Sequence, residues 1–214
     1  VSMENLRAVG KMAHENGIKV VLDATRAMEN AYFIKIREKG YADKSVKEIL
    51  REMCSYTDAA TCSGKKDFHT NIGGFAACND DDAATQMRAY VVVYEGLQTY
   101  GGMAGRDMEA MARGMLEACD DDTMRHRIAQ SEYLGNKLIE AGIPVIHPIG
   151  GHGVFIDAKA FYPNVPQKHY VAQALAADLY VQSGVRSMER GIVSAGRDKV
   201  TGHEHEPKLE TIRL

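Results

Sequence analysis

The sequence lacks the features that mark several broad classes of protein. No apolar run approaches the roughly 18 residues that a membrane-spanning helix needs, so we expect no membrane partner. The formal net charge is only -3, which gives no reason to expect nucleic acid or an anionic membrane surface as a partner. Hydrophobic residues make up 45% and charged residues 26%, as in an ordinary globular protein. The function must therefore be sought in the motifs.

Cysteine is scarce and irregularly spaced. The chain has four cysteines, none of them in a CxxC or other paired spacing. Cys54, Cys62 and Cys78 lie in apolar stretches, so we interpret them as buried free thiols in a reducing compartment, and a disulfide as the less favoured alternative. No basic segment leads into an apolar one near the N-terminus, so we expect no signal peptide and a cytoplasmic location.

Helix-like and strand-like segments alternate along the chain, with short connections between them. This alternation predicts an α/β protein with a parallel or mixed sheet. The apolar run at 18–22 predicts a strand buried on both faces. The acidic run at 120–122 suits a helix N-terminus and indicates a domain boundary, with part of a large domain at 1–119 and part of a small α+β domain at 120–214.

The second half of the chain carries weaker strand signals and two clear helices. The predicted helices cover about 122–141 and 168–183, and the predicted strands cover 143–146, 153–158, 185–194 and 209–214. The chain starts at Val1, which is not a methionine, and stops in the middle of the last strand-like run. We therefore expect a piece of a longer protein.

Asp23 and Lys66 are the residues on which the functional interpretation depends. Asp23 follows the apolar run at 18–22, and Lys65-Lys66 follow a second apolar run, 59–63, about forty residues later. This is the layout of an enzyme that uses pyridoxal 5'-phosphate (PLP), in which an acid holds the pyridine nitrogen and a lysine forms a Schiff base with the cofactor. Asp23 would keep the ring protonated and so make it an electron sink.

Three further residues could complete such a site. Arg26 could reach the ring oxygen, Ser63 could hold the phosphate, and Arg213 could bind a substrate carboxylate as a planar two-pronged donor. Each has an ordinary alternative as a turn, cap or salt-bridge residue. A metal site at His203-Glu204-His205 is a further hypothesis, but no third ligand is placed nearby, and a solvated loop is the preferred interpretation.

Seven longer segments carry a more specific signal than this layout. They are Asp23-Ala24-Thr25-Arg26-Ala27-Met28-Glu29-Asn30, Ser63-Gly64-Lys65-Lys66-Asp67, Asn71-Ile72-Gly73-Gly74-Phe75, Val91-Val92-Val93-Tyr94-Glu95-Gly96, Tyr100-Gly101-Gly102, Gly150-Gly151-His152 and Pro207-Lys208-Leu209-Glu210-Thr211-Ile212-Arg213-Leu214. Together they extend over essentially the whole chain and resemble the β-eliminating lyase family. The resemblance implies an aminotransferase-like fold (PLP fold type I), with part of the mixed sheet of the large domain followed by part of a smaller α+β domain.

The resemblance also implies which residues hold the cofactor. Lys66 would be the Schiff-base lysine and the base that takes the Cα proton of the substrate. Asp23 would pair with the pyridine nitrogen, and Arg26 would bond the ring oxygen. Ser63 would contact the phosphate region, which Lys65 would support.

A second group of residues would serve the substrate and a monovalent cation. By the same resemblance, Arg213 would bind the substrate carboxylate, Tyr100 would be a catalytic residue that packs near the site, and His152 would support it from outside direct contact. The backbone carbonyl of Asn71 would bind the cation, usually potassium. Arg190 occupies the position at which phenol-releasing members carry an arginine that recognises the phenol hydroxyl, and indole-releasing members lack it.

The implied reaction is the reversible α,β-elimination of L-tyrosine to phenol, pyruvate and ammonia, with PLP and K+ as cofactors and a homotetramer as the full-length assembly. Two alternatives stay open: a lyase that releases indole, and a catalytically incomplete chain that only keeps the fold. Family members carry further segments on both sides of the matched region, which hold the phosphate loop and other site residues. Phe68-His69-Thr70 and Leu97 depart from the family pattern near the ring pocket, which leaves the leaving group open.

Overall fold

The computed structural model describes residues 1–214 and divides them into two units, Val1–His126 and Arg127–Leu214. Each unit contains one three-stranded sheet and several helices. The assignment of residues 1–119 to a large domain and of 120–214 to a small one stays a prediction.

The first unit alternates helices and strands. Its elements are α1 (Met3–Glu15), β1 (Val21–Asp23), α2 (Ala27–Arg37), α3 (Val46–Cys54), β2 (Ala59–Ser63), β3 (Gly74–Cys78), α4 (Asp81–Tyr94), α5 (Gly105–Ala118) and the start of α6 (Asp121–Glu140). Helix α6 continues into the second unit and is 20 residues long. Neither it nor any other helix combines the length and the apolar character that crossing a membrane requires.

The sheet of the first unit is mixed and has the order β1-β2-β3. Strands β1 and β2 are parallel, with Asp23 opposite Thr61, and β3 returns antiparallel to β2, with Gly74 opposite Ser63. Because β1 and β2 run in the same direction, their carboxyl ends lie at the same edge of the sheet. Asp23 and Ser63, the last residues of β1 and β2, lie at this edge.

The prediction that the run at 18–22 forms a strand buried on both faces is wrong. The strand starts only at Val21, which is 60% exposed, and Ile18 precedes the strand and is 59% exposed. The physical reason is that β1 is an edge strand, so the rest of this unit covers it only in part. An apolar run indicates a strand but does not show how many of its faces are covered.

Local capping residues explain where two of the helices begin. Ser2 accepts a hydrogen bond from the Asn5 N–H and so caps α1. Ser45 and Glu48 form a complete capping box at the start of α3, in which each side chain accepts from the other residue's backbone. These caps satisfy N–H groups that have no partner within the helix.

The second unit has a smaller, antiparallel sheet. After the end of α6, its elements are β4 (Phe155–Asp157), α7 (Ala158–Phe161), a 3-10 turn (Gln167–His169), α8 (Val171–Ser183), β5 (Met188–Arg190), α9 (Ile192–Ala195) and β6 (Thr211–Arg213). The strand order is β4-β6-β5, so the last strand of the chain lies in the centre. One face of this sheet packs Ile156 and Ile212 against Leu175 of α8 in a buried cluster.

Two strand predictions in the second unit are wrong in extent. The predicted strand at 143–146 does not form, and Val145 makes only a single bridge to Ile156. The predicted strand near 185–194 is limited to β5, because the chain turns at Gly191 into the short helix α9. In both places the backbone of a short apolar segment forms a turn or a single bridge, and does not form the hydrogen-bond ladder of a full strand.

The cysteines are all free, but they are not all buried. Cys62 of β2 is buried, and burial raises the pKa of its thiol to about 11. Cys54 is exposed and Cys78 is partly exposed, so the expectation of three buried thiols is wrong for these two. Cys54 is the last residue of α3, and the buried residues of this helix, Val46, Ile49 and Met53, form a face that does not include it.

Candidate active site

The edge formed by the carboxyl ends of β1 and β2 is fastened by cross-strand hydrogen bonds. The Ala24 N–H donates to the Thr61 carbonyl at 2.7 Å, and the Ser63 N–H donates to Thr25 Oγ1 at 3.2 Å. These bonds tie the turn that follows Asp23 to the end of the neighbouring strand. Edges of this kind, at the carboxyl ends of parallel strands, are where α/β proteins bind ligands.

Asp23 is held as a carboxylate. Its pKa is lowered from the ordinary value of 3.8 by hydrogen bonds from the Thr25 hydroxyl and the Thr25 backbone N–H, with a further contribution from the positive charge of Lys66. The backbone N–H lies 3.1 Å from Oδ1. An exposed, ionised carboxylate of this kind can accept a hydrogen bond from a protonated ring nitrogen.

Lys66 lies in the turn that follows β2. Its Nζ donates to Ser63 Oγ at 3.0 Å, and the side chain is partly buried. The turn is closed by the Gly64 N–H, which donates to the Gly73 carbonyl at 2.8 Å. Lys65, by contrast, is exposed. The structure therefore groups Lys66, and not Lys65, with Ser63 and Asp23.

Asp67 is a buried residue of this site that sequence reasoning missed. It is 0% exposed, and its Oδ2 accepts hydrogen bonds from the backbone N–H groups of Met28 and Glu29, each at 3.1 Å. The signal that could have revealed it is the residue before α2, Arg26, which is not a capping type and makes no side-chain cap. A helix that starts in this way needs an acceptor from elsewhere in the chain.

Arg26 lies between Asp23 and α2. Its Nη1 is 3.4 Å from Glu29 Oε2, and the Glu29 side chain is buried. This ion pair holds the guanidinium near the first turn of α2, on the same turn as Asp23. The predicted contact of Arg26 with a ring oxygen stays a prediction.

Tyr100 and Asn71 lie in loops beside this edge. Tyr100 lines a cavity of about 780 Å³. The same cavity is lined by Cys62, which precedes Ser63 in β2, and by Gly74, which pairs with Ser63 from β3. Neither Asp23 nor Lys66 lines this cavity. Asn71 is exposed in the turn between the lysines and β3, and its predicted cation role stays a prediction.

In the second unit, Arg190 and Arg213 lie on the same face of the sheet. Arg190 of β5 pairs with Thr211 of β6, and Arg213 of β6 pairs with Met188 of β5. Directly opposed residues share a face, and so do residues two apart, so the two arginines are diagonal neighbours. Their shared face is opposite to the one that buries Ile212.

A buried carboxylate fixes the backbone next to Arg190. Glu210 is 1% exposed, and its Oε1 accepts from the Ile192 N–H at 2.9 Å and from Gln167 Nε2 at 3.2 Å. A Cβ on Gly191 would lie 2.2 Å from Glu210 Oε2, so only glycine allows this approach. Glu210 therefore ties the chain after β5 to the start of β6, a contact that sequence reasoning also missed.

His152 and Gly153 lie near Arg213 in different ways. A Cβ on Gly153 would come within 2.8 Å of Arg213 Cγ, so the glycine makes room for the arginine stem. The ring of His152 contacts Phe155 edge-on, with 6.2 Å between centroids, and Phe155 pairs with Arg213 in the ladder. These contacts connect His152 to Arg213 through Phe155.

The segment His203-Glu204-His205 has ordinary partners. Glu204 Oε1 accepts hydrogen bonds from Tyr170 Oη and from Arg197 Nη2, the latter at 2.9 Å. Both bonds end at the same oxygen of Glu204. No group of three or more His, Cys, Asp or Glu side chains in residues 1–214 is arranged to hold a metal ion.

Comparison with known proteins gives one family over the whole chain. The profile of the β-eliminating lyase family matches residues 1–214. The chain is 61% identical over 214 residues to a tyrosine phenol-lyase of Symbiobacterium thermophilum. This alignment covers 100% of this chain and 47% of that protein. The chain is 58% identical over 214 residues to a tyrosine phenol-lyase of Fusobacterium nucleatum, with 100% of this chain and 46% of that protein covered. The chain thus spans about half the length of the curated relatives it matches.

A solved structure supports the fold independently. A Listeria monocytogenes protein provisionally named an L-allo-threonine aldolase matches with a TM-score of 0.56 at 16% identity, over 99% of this chain and 49% of that one. The predicted fold class, an aminotransferase-like mixed α/β fold present in part, is confirmed.

The mixed sheet that brings an ionised aspartate and a lysine to one edge belongs to an aminotransferase-like α/β fold. The chain belongs to the β-eliminating lyase family.

Proposed function

We propose that the protein containing this chain is a PLP-dependent carbon–carbon lyase that cleaves L-tyrosine. With water as co-substrate, L-tyrosine gives phenol, pyruvate and ammonia, and the reaction is reversible. The observation that carries the proposal is the grouping of the Lys66 amine, the Ser63 hydroxyl and the ionised Asp23 carboxylate at the carboxyl edge of β1 and β2. The two relatives compared above are named tyrosine phenol-lyases, which supports L-tyrosine as the substrate.

The residues at this edge fit PLP by their chemistry. PLP, when bound, withdraws electrons from the substrate Cα and so makes its proton removable. An ionised Asp23 suits a protonated pyridine nitrogen, because the carboxylate accepts a hydrogen bond only from the charged form of the ring. Ser63 and Lys65 would hold the phosphate region, and Arg26 the ring oxygen.

Lys66 carries the proton chemistry in this proposal. A primary amine beside the cofactor can hold it covalently and, once the substrate amine has taken its place, can accept the Cα proton. Ser63 Oγ, which accepts a hydrogen bond from Lys66 Nζ at 3.0 Å, orients the amine. The proton stays near the site and is available to the leaving ring.

The two arginines of the second unit would bind the two ends of the substrate. Arg213 would hold the carboxylate in a bidentate ion pair. Arg190 would donate to the phenol hydroxyl, which favours tyrosine over tryptophan, because an indole would leave this donor without a partner. A lyase that releases indole is therefore the weaker alternative.

The remaining parts of the proposal rest on the family. Tyr100 would act in the cavity beside β2 and β3, His152 would support Arg213 through Phe155, and the Asn71 carbonyl would bind K+. The complete protein would be a cytoplasmic homotetramer.

The first experiment mixes the protein with PLP, reduces it with borohydride and maps the labelled peptide. We expect pyridoxyl label on Lys66, and we expect Lys66→Ala to lose both the label and the near-visible absorption band. Phenol release from L-tyrosine should fall roughly 10⁴-fold or more, as when a covalent catalytic residue is removed.

Lys65→Ala is the matched control: in the proposal this exposed amine contacts only the phosphate region and forms no covalent bond, so the label on Lys66 should remain. Label on neither lysine in the wild type would overturn the proposal and favour a chain that only keeps the fold. Release of indole from L-tryptophan at a higher kcat/KM than release of phenol would favour the indole alternative.

A further inference from the structure

Helix α2 begins without a cap of its own. The residue at its N-cap position, Arg26, makes no side-chain capping bond, and the helix continues directly into Ala27, Met28 and Glu29. The first N–H groups of a helix have no partner within it, and three of these residues are buried. Buried N–H groups without an acceptor destabilise a fold, so the acceptor must come from another part of the chain.

Asp67 supplies that acceptor. Its Oδ2 accepts from the N–H groups of Met28 and Glu29 at 3.1 Å each, and the two partners are 39 and 38 residues away in sequence. The side chain is 0% exposed. A negative charge at a helix N-terminus is favourable, since the positive end of the helix dipole lies there.

The position of Asp67 in the chain gives this bond a second consequence. Asp67 follows Lys66 directly, and α2 follows the turn of Asp23 and Arg26 directly. The hydrogen bonds between the strand ends hold the Lys66 turn from its upstream side, at Ser63. Asp67 holds the same turn from its downstream side.

The residue after Asp67 strengthens this anchor. Phe68 is 1% exposed, stacks on Phe75 of β3 with 6.0 Å between ring centroids, and lies under α5. A Cβ on Gly114 of α5 would lie 2.0 Å from the Phe68 carbonyl oxygen. The backbone just beyond Lys66 is thus enclosed, and Asp67 is its charged contact with the Asp23 side of the site.

We infer that Asp67 is a positioning residue for Lys66, which sets the distance between the Lys66 amine and the Asp23 carboxylate through the start of α2. The inference rests on the proposed function, in which these two groups hold opposite ends of the same cofactor. A rigid support matters because a displacement of about 1 Å in a reacting group can cost roughly 100-fold in rate.

The test measures how fast Lys66 combines with PLP, in the protein as its gene encodes it. The Lys66 amine attacks the aldehyde carbon of PLP, a C=N bond forms and water leaves, so the absorption band reports the rate without any catalytic turnover. We expect Asp67→Ala to slow this step roughly 10- to 100-fold. Asp67→Asn keeps an acceptor oxygen and should stay within roughly threefold of wild type.

Ser45→Ala is the control, because it removes the N-cap of α3 in the same unit and does not touch the Lys66 turn. It should lower the melting temperature but leave the rate of PLP attachment unchanged. Amide hydrogen exchange at Met28 and Glu29 provides the second readout: it should accelerate in Asp67→Ala and not in Ser45→Ala.

The outcomes separate this inference from the proposed function. If the wild type is not labelled at Lys66, the proposed function fails and the inference fails with it. If the wild type is labelled but Asp67→Ala combines with PLP at the wild-type rate while Met28 and Glu29 exchange faster, the inference alone is overturned. Should Asp67→Ala not fold, an Asp67→Asn protein with fast exchange at these amides and an unchanged rate would overturn it equally.

Discussion

At the scale of single residues, the site depends on carboxylates whose partners are distant in sequence. Glu210 and Asp67 are both buried, and both accept backbone N–H groups at the start of helices. Neither is a candidate from sequence, because Asp67 contacts Met28 across 39 residues and Glu210 contacts Ile192 across 18. The position of Asp23, Ser63 and Lys66 at the sheet edge could be predicted, since Asp23 and Lys66 follow apolar runs and Ser63 ends one.

Gly191 offers a direct test of the Glu210 contact. Gly191→Ala places a Cβ 2.2 Å from Glu210 Oε2, so the carboxylate must move away from the Ile192 N–H. We expect a loss of about 1–3 kcal/mol in the free energy of unfolding, measured by urea denaturation.

Gly150→Ala is the control for this substitution, because nothing lies within 4 Å of the added Cβ. It should change the free energy of unfolding by less than about 0.5 kcal/mol. Equal losses in the two variants would contradict the steric explanation.

At the scale of elements, local signals predicted long helices well and short ones not at all. The two helices predicted in the second half of the chain, at about 122–141 and 168–183, correspond to α6 and α8. The helices α7 and α9 were missed, because four residues are too few to show a helical period. The strand at 143–146 was predicted from apolar character alone, which does not determine pairing.

Helices α1 and α3 are joined by a charged cluster centred on Glu52. Its carboxylate accepts from Lys44 Nζ at 2.8 Å, and also from Arg7 and Tyr41. The hydrogen bond from Lys44 is the largest cause that lowers the pKa of Glu52 from 4.5 to about 2. Because the folded-state pKa is depressed, the stabilisation is complete above pH 4.5 and is lost as the pH falls towards 2.

Glu52→Gln should therefore lower the free energy of unfolding at pH 7 by about 1–2 kcal/mol, and its difference from wild type should close between pH 4.5 and 2. Chemical denaturation across this pH range measures the difference. Glu15→Gln, which breaks an exposed pair with Lys11 at 3.8 Å, should have an effect below about 0.5 kcal/mol at every pH. A difference in the free energy of unfolding between Glu52→Gln and wild type that stays constant with pH would contradict the link between the Glu52 pKa and stability.

At the scale of the whole molecule, the fold class followed from the alternation of elements, and the family profile and the solved structure confirm it. The exposure of each helix to solvent could not be predicted in the same way. Helix α4 contains Val91-Val92-Val93-Tyr94 yet has no buried residue, and Val93 and Tyr94 are 71% and 75% exposed. The sequence of α4 is typical of a packed helix, and the 214-residue chain leaves it open to solvent.

The chain studied by itself should consequently bind an apolar dye such as anilinonaphthalene sulfonate at α4. Val93→Lys should lower the dye fluorescence roughly twofold, because it breaks a contiguous apolar surface. Val200→Lys is the matched control: Val200 is 94% exposed but stands apart in a loop, so its replacement should leave the signal unchanged. The same decrease in both variants would argue against a patch on α4.

The pairing of β5 with β6 fixes the spacing between two arginines of the second sheet. The ladder hydrogen bonds hold Arg190 and Arg213 at a diagonal interval of about 7–8 Å between their Cα atoms. In the proposed function, this interval limits the length of the molecule that both side chains would bind. A slip of one residue in either strand would turn one arginine to the opposite face. The proposed selection of a substrate by its length would then be lost completely, because strand register changes only by whole residues.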